Sequence, residues 1–143
     1  MCGIAGLFDL TAMRPAAPER LQRMFAAMEH RGPDGEGYYT APGLGLGHRR
    51  LSVVDLADGD QPMFDAHRRS VVVFNGEIFN HQDLRQDLAA SGSPFRTRSD
   101  TEVILQAWQH WGEEAVRRLN GMFAFALWDF ARHTLFLARD PLG

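Results

Sequence analysis

Residues 1–8 of the chain read MCGIAGLF, a short apolar run that includes the one cysteine of the sequence, Cys2. Short apolar runs with interspersed glycines are typical of buried strands that another backbone approaches closely. The run therefore predicts a strand over residues 3–8, with Cys2 at the mouth of that strand.

Cys2 has two interpretations on its own. A lone cysteine is usually an inert, buried side chain. If Met1 is removed, however, Cys2 carries both a thiol and a free α-amine. Their ordinary pKa values, about 8.5 and about 7.7–8.0, leave a usable fraction of each group unprotonated near neutral pH. One residue can then supply a nucleophile and a base, with no histidine partner required.

The composition of the chain excludes several classes of protein. The 143 residues carry a net charge of −3, so no basic excess indicates binding to nucleic acid or to an anionic membrane. A single cysteine cannot form an internal disulfide, whereas small secreted domains usually carry several. The longest apolar runs, VVVF and MFAFALW, are too short to span a bilayer. We therefore expect one soluble, cytoplasmic domain.

No pattern in the sequence indicates a metal or phosphate site. The six histidines lack the paired spacing of metal ligands. They are His30, His48, His67, His81, His110 and His133. The stretch GLGLG at residues 43–47 lacks the spacing of a dinucleotide-binding loop. We expect no metal and no organic cofactor in this domain.

Hydrophobic periodicity predicts three helices. Apolar residues at helical spacing follow Pro18, which suits the first turn of a helix. A short helix is expected after Asn80, which can cap it. Ser99 and Glu102 fit a capping box ahead of a helix over residues 100–111.

Extended segments are predicted in the middle and at the end of the chain. Residues 44–56 and 70–80 are rich in strand-forming residues. The segments MFAFALWD and TLFLARD, residues 122–129 and 134–140, are predicted to form a hairpin.

The segment FNGE, residues 74–77, has two interpretations. A thiol that attacks a carbonyl needs hydrogen-bond donors for the oxyanion, and the Asn75 side-chain amide and the Gly76 N–H are suitable. The Asn-Gly pair is also the strongest short hairpin-turn signal. By residue type alone, Arg50 is a solvated surface charge and Asp100 is an acidic residue in the first turn of a helix.

Eight motifs occur together in the order and spacing of the class II glutamine amidotransferases. They are MCGIAGLFD, HRGPDGEG, GHRRLSVVDL, QPMF, FNGEIFN, RTRSDTEVIL, LNGMFAFALWD and ARDPLG. The chain resembles this family over essentially its whole length, and it is most similar to the glutaminase domain of glutamine-dependent asparagine synthetase. The resemblance implies an α+β fold of the N-terminal-nucleophile hydrolase type, a four-layer αββα sandwich of two antiparallel sheets.

The resemblance also implies a reaction. Cys2, exposed by loss of Met1, would attack the side-chain amide of L-glutamine, release ammonia and form a γ-glutamyl thioester that water hydrolyses. The α-amine of Cys2 would move the protons. The oxyanion pair of the family falls on Asn75 and Gly76.

Five further positions match substrate-binding residues of the family. The resemblance places the clamp for the α-carboxylate of glutamine on Arg50 and the partner of its α-ammonium on Asp100, with Glu77 assisting. Backbone groups around Leu51 and Val53 would line the pocket. Phe79 stands where many relatives have tyrosine, which removes a hydroxyl group from the motif.

The resemblance extends to a longer parent protein. Relatives continue past RDPLG into an ATP-dependent synthetase domain, so residues 1–143 would be the glutaminase domain that passes ammonia to it in cis. ATP and Mg²⁺ are expected only in that second domain. Two alternatives stay open: a related amidotransferase with a different acceptor, and a non-catalytic glutamine-binding module. A homodimer is also left open.

Overall fold

The computed structural model describes residues 2–11, 14–51 and 59–143. The strands are β1 (Gly3–Phe8), β2 (Gly35–Ala41), β3 (Leu44–Arg50), β4 (Met63–Phe64), β5 (Ser70–Ile78), β6 (Gly121–Asp129) and β7 (Thr134–Arg139). The α-helices are α1 (Pro18–Ala27), α2 (His81–Ala90) and α3 (Asp100–Trp111), and 3-10 turns occupy Glu29–Arg31 and Gly112–Arg118. No helix within the described ranges has the length and apolar character needed to cross a bilayer.

The strands form two antiparallel sheets. In the first sheet the order is β1-β3-β2, and Gly3 lies opposite Arg49. In the second sheet the order is β4-β5-β6-β7, and Gly76 lies opposite Phe123. The first register places the N-terminal end of β1 beside the C-terminal end of β3, which carries Arg49 and Arg50.

Side chains that alternate along the central strands hold the two sheets together. Leu44 and Leu46 on β3 are buried in one cluster with Val71 and Val73 on β5. Residues two apart on a strand point to the same face, so these four side chains identify the inner face of each sheet. Ala126 and Trp128 on β6 complete the cluster between the sheets.

The opposite face of the second sheet packs against α2 and α3. Val72 and Phe74 of β5, which alternate with the inner-face residues, share a buried cluster with Leu88 of α2 and with Val103 and Leu105 of α3. Helix α3 contacts this sheet on one side and α2 on another. Its apolar residues are buried by these two contacts.

Helix α1 covers the outer face of the first sheet. Its buried residues Leu21 and Phe25 lie directly over Gly45 and Gly47 of β3. A side chain at Gly47 would collide with the Phe25 ring, so the glycines allow α1 to approach the backbone of the sheet. The layers are α1, first sheet, second sheet and the α2–α3 pair, which confirms the predicted αββα sandwich.

Several local predictions needed correction. The interpretation of Asn75-Gly76 as a hairpin turn is wrong, because β5 continues through both residues to Ile78 and pairs with β6. The strand predicted over residues 44–56 ends at Arg50 within the described part of the chain, and residues 52–58 lie outside it. Strand β2 begins at Gly35, a part of the chain for which the sequence predicted no strand.

The caps of two helices also differ from the prediction. Ser99 caps α3 by accepting a hydrogen bond from the Thr101 N–H, as expected. The Glu102 carboxylate does not complete the capping box, since it accepts the N–H groups of Arg96 and Thr97 in the preceding loop. Asn80 occupies the N-cap position of α2 without a capping hydrogen bond.

Candidate active site

Cys2 lies beside the end of β3, as the register of β1 requires. The Leu51 N–H donates to the Cys2 Sγ at 3.4 Å, and the thiol lies 3.8 Å from the Leu51 carbonyl oxygen, to which it donates. The Cys2 side chain is half-buried. The nucleophile predicted from the sequence therefore lies at the end of the sheet, in contact with the residue that directly follows β3.

A cavity of about 400 Å³ opens at this end of the two sheets. Every predicted site residue within the described ranges lines it. These residues are Cys2, Arg50, Leu51, Asn75, Gly76, Glu77 and Asp100. Val53, the remaining predicted position, lies outside the described residues. The sequence thus predicted which distant residues meet in one cavity, and their individual roles stay predictions.

Every second backbone N–H group along the C-terminal half of β5 points towards the cavity, and the others point towards β6. In an antiparallel strand, successive N–H groups point to opposite neighbours. Phe79, an odd-numbered position, donates to the Asn120 carbonyl on the β6 side. The even-numbered N–H groups point away from β6, and those of Phe74 and Ile78 are bound by the side chains of Gln61 and Asp100.

The Gly76 N–H lies between those two bound groups and points the same way. Phe123 lies opposite Gly76, but its backbone is hydrogen-bonded to Asp140 on the other side of β6. The Phe123 N–H donates to the Asp140 carboxylate, and the Phe123 carbonyl accepts the Asp140 N–H. Strand β4 pairs only with Val71 and Val72 and does not reach this position. Strand geometry therefore directs the Gly76 N–H into the cavity, where it can donate to a bound group.

Gly76 itself is fixed by β6. Its φ angle is +144°, a conformation that favours glycine, and a Cβ there would overlap the Met122 carbonyl oxygen. In the structure, the close approach of the neighbouring strand is what excludes a side chain.

Arg50 faces an anionic partner at the cavity. Its Nη1 lies 2.6 Å from the Asp60 carboxylate, which is otherwise exposed to solvent. The interpretation of Arg50 as a solvated surface charge is wrong, since only 16% of its side chain is exposed. A guanidinium that already binds one carboxylate is suited to a carboxylate ligand.

Asp100 combines burial with hydrogen bonding. Its Oδ2 accepts the Ile78 N–H at 3.0 Å. Burial raises the pKa of the Asp100 carboxyl above its ordinary value, against the opposing effect of the Ile78 hydrogen bond and of nearby His81. The Glu77 carboxylate adds to the increase in pKa. Asp100 starts α3 as predicted, but it also faces the cavity.

Sequence reasoning missed His48, which lines the cavity with 2% of its surface exposed. Burial, reinforced by the positive charge of Arg50, lowers the pKa of His48 to about 4, although Asp60 opposes the change. The signal was present in the alternation of β3, because His48 follows Leu44 and Leu46 on the inner face. Gln61 was also missed, because it acts on a backbone group of a distant strand.

Buried polar atoms without a protein partner are concentrated at this cavity. Among the residues described, they are His48 Nε2, Asn75 Oδ1 and His81 Nδ1. All three residues line the cavity. Buried polar groups are normally satisfied, so their concentration here indicates a place built for a polar ligand or for ordered water. Over the same residues, no three His, Cys, Asp or Glu side chains are grouped as metal ligands would be.

A profile of the family described as the glutamine amidotransferase domain matches residues 1–143. The chain belongs to this family. Asparagine synthetase [glutamine-hydrolyzing] 1 of Bacillus subtilis is 43% identical over the whole chain, which covers 23% of that relative. Asparagine synthetase B [glutamine-hydrolyzing] of Escherichia coli is 41% identical, again over the whole chain and 26% of the relative. The chain thus spans about a quarter of the length of these relatives.

Solved structures share the fold of the amidotransferase domain at lower identity. The glutamine phosphoribosylpyrophosphate amidotransferase of B. subtilis, complexed with ADP and GMP, superimposes with a TM-score of 0.77 at 21% identity, covering 96% of the domain and 37% of that chain. An allosteric regulatory enzyme of purine biosynthesis gives 0.79 at 22% identity, covering 98% of the domain and 37% of that chain. These similarities confirm the predicted N-terminal-nucleophile hydrolase type of fold.

Proposed function

We propose that this domain hydrolyses L-glutamine to glutamate and ammonia, with Cys2 as the nucleophile. The observation that carries the proposal is the meeting of the Cys2 thiol, the Asn75 amide and the inward-facing Gly76 N–H at one cavity of a glutamine amidotransferase domain. Arg50 and Asp100, of opposite charge, line the same cavity and suit the two charged ends of an amino acid.

The proposed reaction has two stages. The Cys2 Sγ forms a bond to the amide carbon of the glutamine side chain while the thiol proton passes to the α-amine of Cys2. The oxyanion accepts hydrogen bonds from the Asn75 side-chain NH₂ and the Gly76 N–H. The C–N bond then breaks, and the amine returns the proton to the leaving ammonia. Water attacks the resulting thioester, releases glutamate and restores the thiol.

The N-terminus provides the test of this function. The chain with Met1 removed, verified by mass spectrometry, is expected to release ammonia and glutamate from L-glutamine in equal amounts. A matched chain with a short N-terminal extension keeps the same thiol but ties its nitrogen into a peptide bond, so it lacks the base. We expect at least about a 100-fold lower rate for the extended chain, in line with the loss of general base catalysis. Equal rates for the two chains would contradict the proposal.

The acceptor of the ammonia is proposed from the relatives. Because proteins 41–43% identical to the domain are named glutamine-hydrolysing asparagine synthetases, we propose that the ammonia is passed in cis to an ATP- and Mg²⁺-dependent synthetase domain that makes asparagine. The alternatives are another acceptor and a glutamine-binding module without turnover. Release of ammonia by the processed chain would eliminate the second alternative, and an acceptor screen with the full-length parent would decide the first.

Asp100 gives this site a pH dependence. Because its pKa is raised, Asp100 takes up a proton at a higher pH than an ordinary aspartate, and it then no longer attracts the α-ammonium of glutamine. The KM for L-glutamine should therefore rise as the pH falls below neutral. The fold responds with the opposite sign: burial of the charged carboxylate costs stability at neutral pH, and that cost is relieved as the pH falls through the raised pKa.

The measurement is the KM for L-glutamine between pH 7 and pH 5, with Asp100→Asn as the matched variant. The asparagine side chain has no charge to lose, so its KM should be about 10-fold or more higher at pH 7, as expected for loss of a charged hydrogen bond, and should change less with pH. Parallel pH profiles of the two proteins would show that another group, such as Glu77 or His81, controls binding.

A further inference from the structure

The inner faces of the two sheets bring His48 and Asn75 towards each other. His48 follows Leu44 and Leu46 along β3, and Asn75 follows Val71 and Val73 along β5. Those four apolar residues share one buried cluster between the sheets. One step further along both strands, the same alternation places the imidazole and the carboxamide across the gap from each other, at the cavity that both residues line.

The two side chains carry a hydrogen-bond donor and an acceptor that are both unsatisfied. His48 Nε2 and Asn75 Oδ1 are both buried, and neither has a hydrogen-bond partner among the described residues. A carboxamide oxygen only accepts hydrogen bonds, whereas a neutral imidazole nitrogen can carry the proton and donate one. Stacked sheets lie about 10 Å apart, so side chains that extend towards each other from opposite sheets span most of the gap. Because both atoms are polar and buried, an ordered water molecule between them would satisfy both.

We propose that His48 is a positioning residue: its Nε2–H donates to an ordered water molecule, which in turn donates to Asn75 Oδ1 and so holds the Asn75 NH₂ group towards the substrate carbonyl. The proposal rests on the proposed function, because it explains how the oxyanion donor is oriented. A carboxamide has two orientations related by a half-turn. The wrong one would present an oxygen to the developing oxyanion.

The surroundings of His48 keep it in the form that this role requires. Burial and the neighbouring Arg50 guanidinium lower its pKa to about 4, while the Asp60 carboxylate opposes them only partly. The imidazole is therefore neutral at the pH of the reaction and has one N–H to donate. A charged imidazolium would add a second positive group beside Arg50.

Two substitutions separate positioning from packing. His48→Phe keeps a planar ring but removes the donor, whereas His48→Gln retains an NH₂ group near the position of Nε2. We expect His48→Phe to lower kcat for L-glutamine about 10-fold, with KM changed by less than about twofold, because loss of an oxyanion donor outright costs about 10²–10³ in kcat. His48→Gln should restore most of that kcat. Thermal unfolding of each variant checks that the fold is retained.

A double-mutant cycle with Asn75→Ala tests the connection itself. If His48 acts through Asn75, His48→Phe should cost little once Asn75 is alanine, so the two effects will not multiply. An equal cost of His48→Phe in both backgrounds would overturn the proposal. If the wild-type chain does not hydrolyse glutamine at all, the proposed function fails, and the cycle says nothing about the contact.

The tautomer of His48 tests the contact independently of activity. The imidazole ¹⁵N chemical shifts of the wild-type chain should show a proton on Nε2 and a neutral ring at pH 7. The Nε2 shift should move in Asn75→Ala, which removes the acceptor. A proton on Nδ1 in the wild-type chain would overturn the proposal, because Nε2 could then only accept a hydrogen bond.

Discussion

Replacement of Cys2 by serine should lower kcat for glutamine hydrolysis by about 10³-fold or more, as expected for loss of a catalytic nucleophile. A hydroxyl is far less acidic than a thiol, so the α-amine at the same residue cannot generate a useful fraction of the anion. The fold should be unaffected, since the Cys2 side chain is only half-buried and its contacts with the Leu51 backbone, at 3.4 and 3.8 Å, are long.

The measurement is ammonia and glutamate release by the processed serine variant, with thermal unfolding as the control for folding. Mass spectrometry must show that Met1 has been removed from both proteins, because a retained methionine would by itself disable the base. An activity within tenfold of the wild type would remove Cys2 from the chemistry. A variant that is inactive but also unfolded would be replaced by Cys2→Ala, which removes the polar atom with the smallest change in shape.

Gly76→Ala is expected to have the largest effect on stability of any substitution at the site. Two costs combine: a φ angle of +144°, which residues with a side chain rarely adopt, and overlap of the new Cβ with the Met122 carbonyl oxygen. Strained backbone and overpacking each cost roughly 1–3 kcal/mol. We expect a loss of about 3 kcal/mol in the free energy of unfolding, which lowers Tm by roughly 10 °C for a domain of this size.

Gly92→Ala provides the matched control. Gly92 also has a positive φ, +88°, but a Cβ there would meet no atom of the described residues within 4 Å. It therefore measures the backbone cost alone, and we expect it to destabilise the fold by about 1 kcal/mol. A larger loss at Gly76 is expected because the overlap with Met122 and the less accessible φ angle both add to the cost measured at Gly92. Equal Tm losses would show that the close approach of Met122 contributes nothing.

Glutaminase activity should fall more in Gly76→Ala than its stability loss explains. At a temperature where the variant is fully folded, β5 must shift away from β6, and the N–H of residue 76 moves with it. We expect about a 100-fold lower kcat, comparable to removal of an oxyanion donor. Wild-type kcat in the folded variant would show that this N–H does not contact the reacting group.

The elements of the fold were predictable where the pattern of side chains is local. The consecutive apolar strand-formers of β5 are typical of a strand buried on both faces, and the apolar stripe of α3 has the period of a helix, so both elements could be predicted from their own sequences. The Asn-Gly pair misled because turn preference is a local property, whereas pairing with the whole of β6 keeps the strand extended through Gly76. Glu102 misled similarly, since the loop N–H groups of Arg96 and Thr97 compete for its carboxylate.

The composition of the site was predictable only through the assembled motifs. Cys2 and Arg50 are far apart in sequence from Asn75 and Asp100, and no periodicity relates them. Asp60 could not be found, because its ion pair with Arg50 depends on how the chain returns after β3. Gln61 could not be found either, because it binds the backbone N–H of Phe74, and a backbone group leaves no pattern in the sequence.

The outward N–H groups of β5 have a consequence for association between molecules. An unpaired strand edge is a template on which a strand of another chain can add, and this is a common route to aggregation. Here Gln61 and Asp100 occupy the amides on either side of Gly76, so no run of free donors is left for an intruding strand. The domain can thus keep one backbone N–H open to small molecules while this unpaired part of β5 is closed to polypeptides.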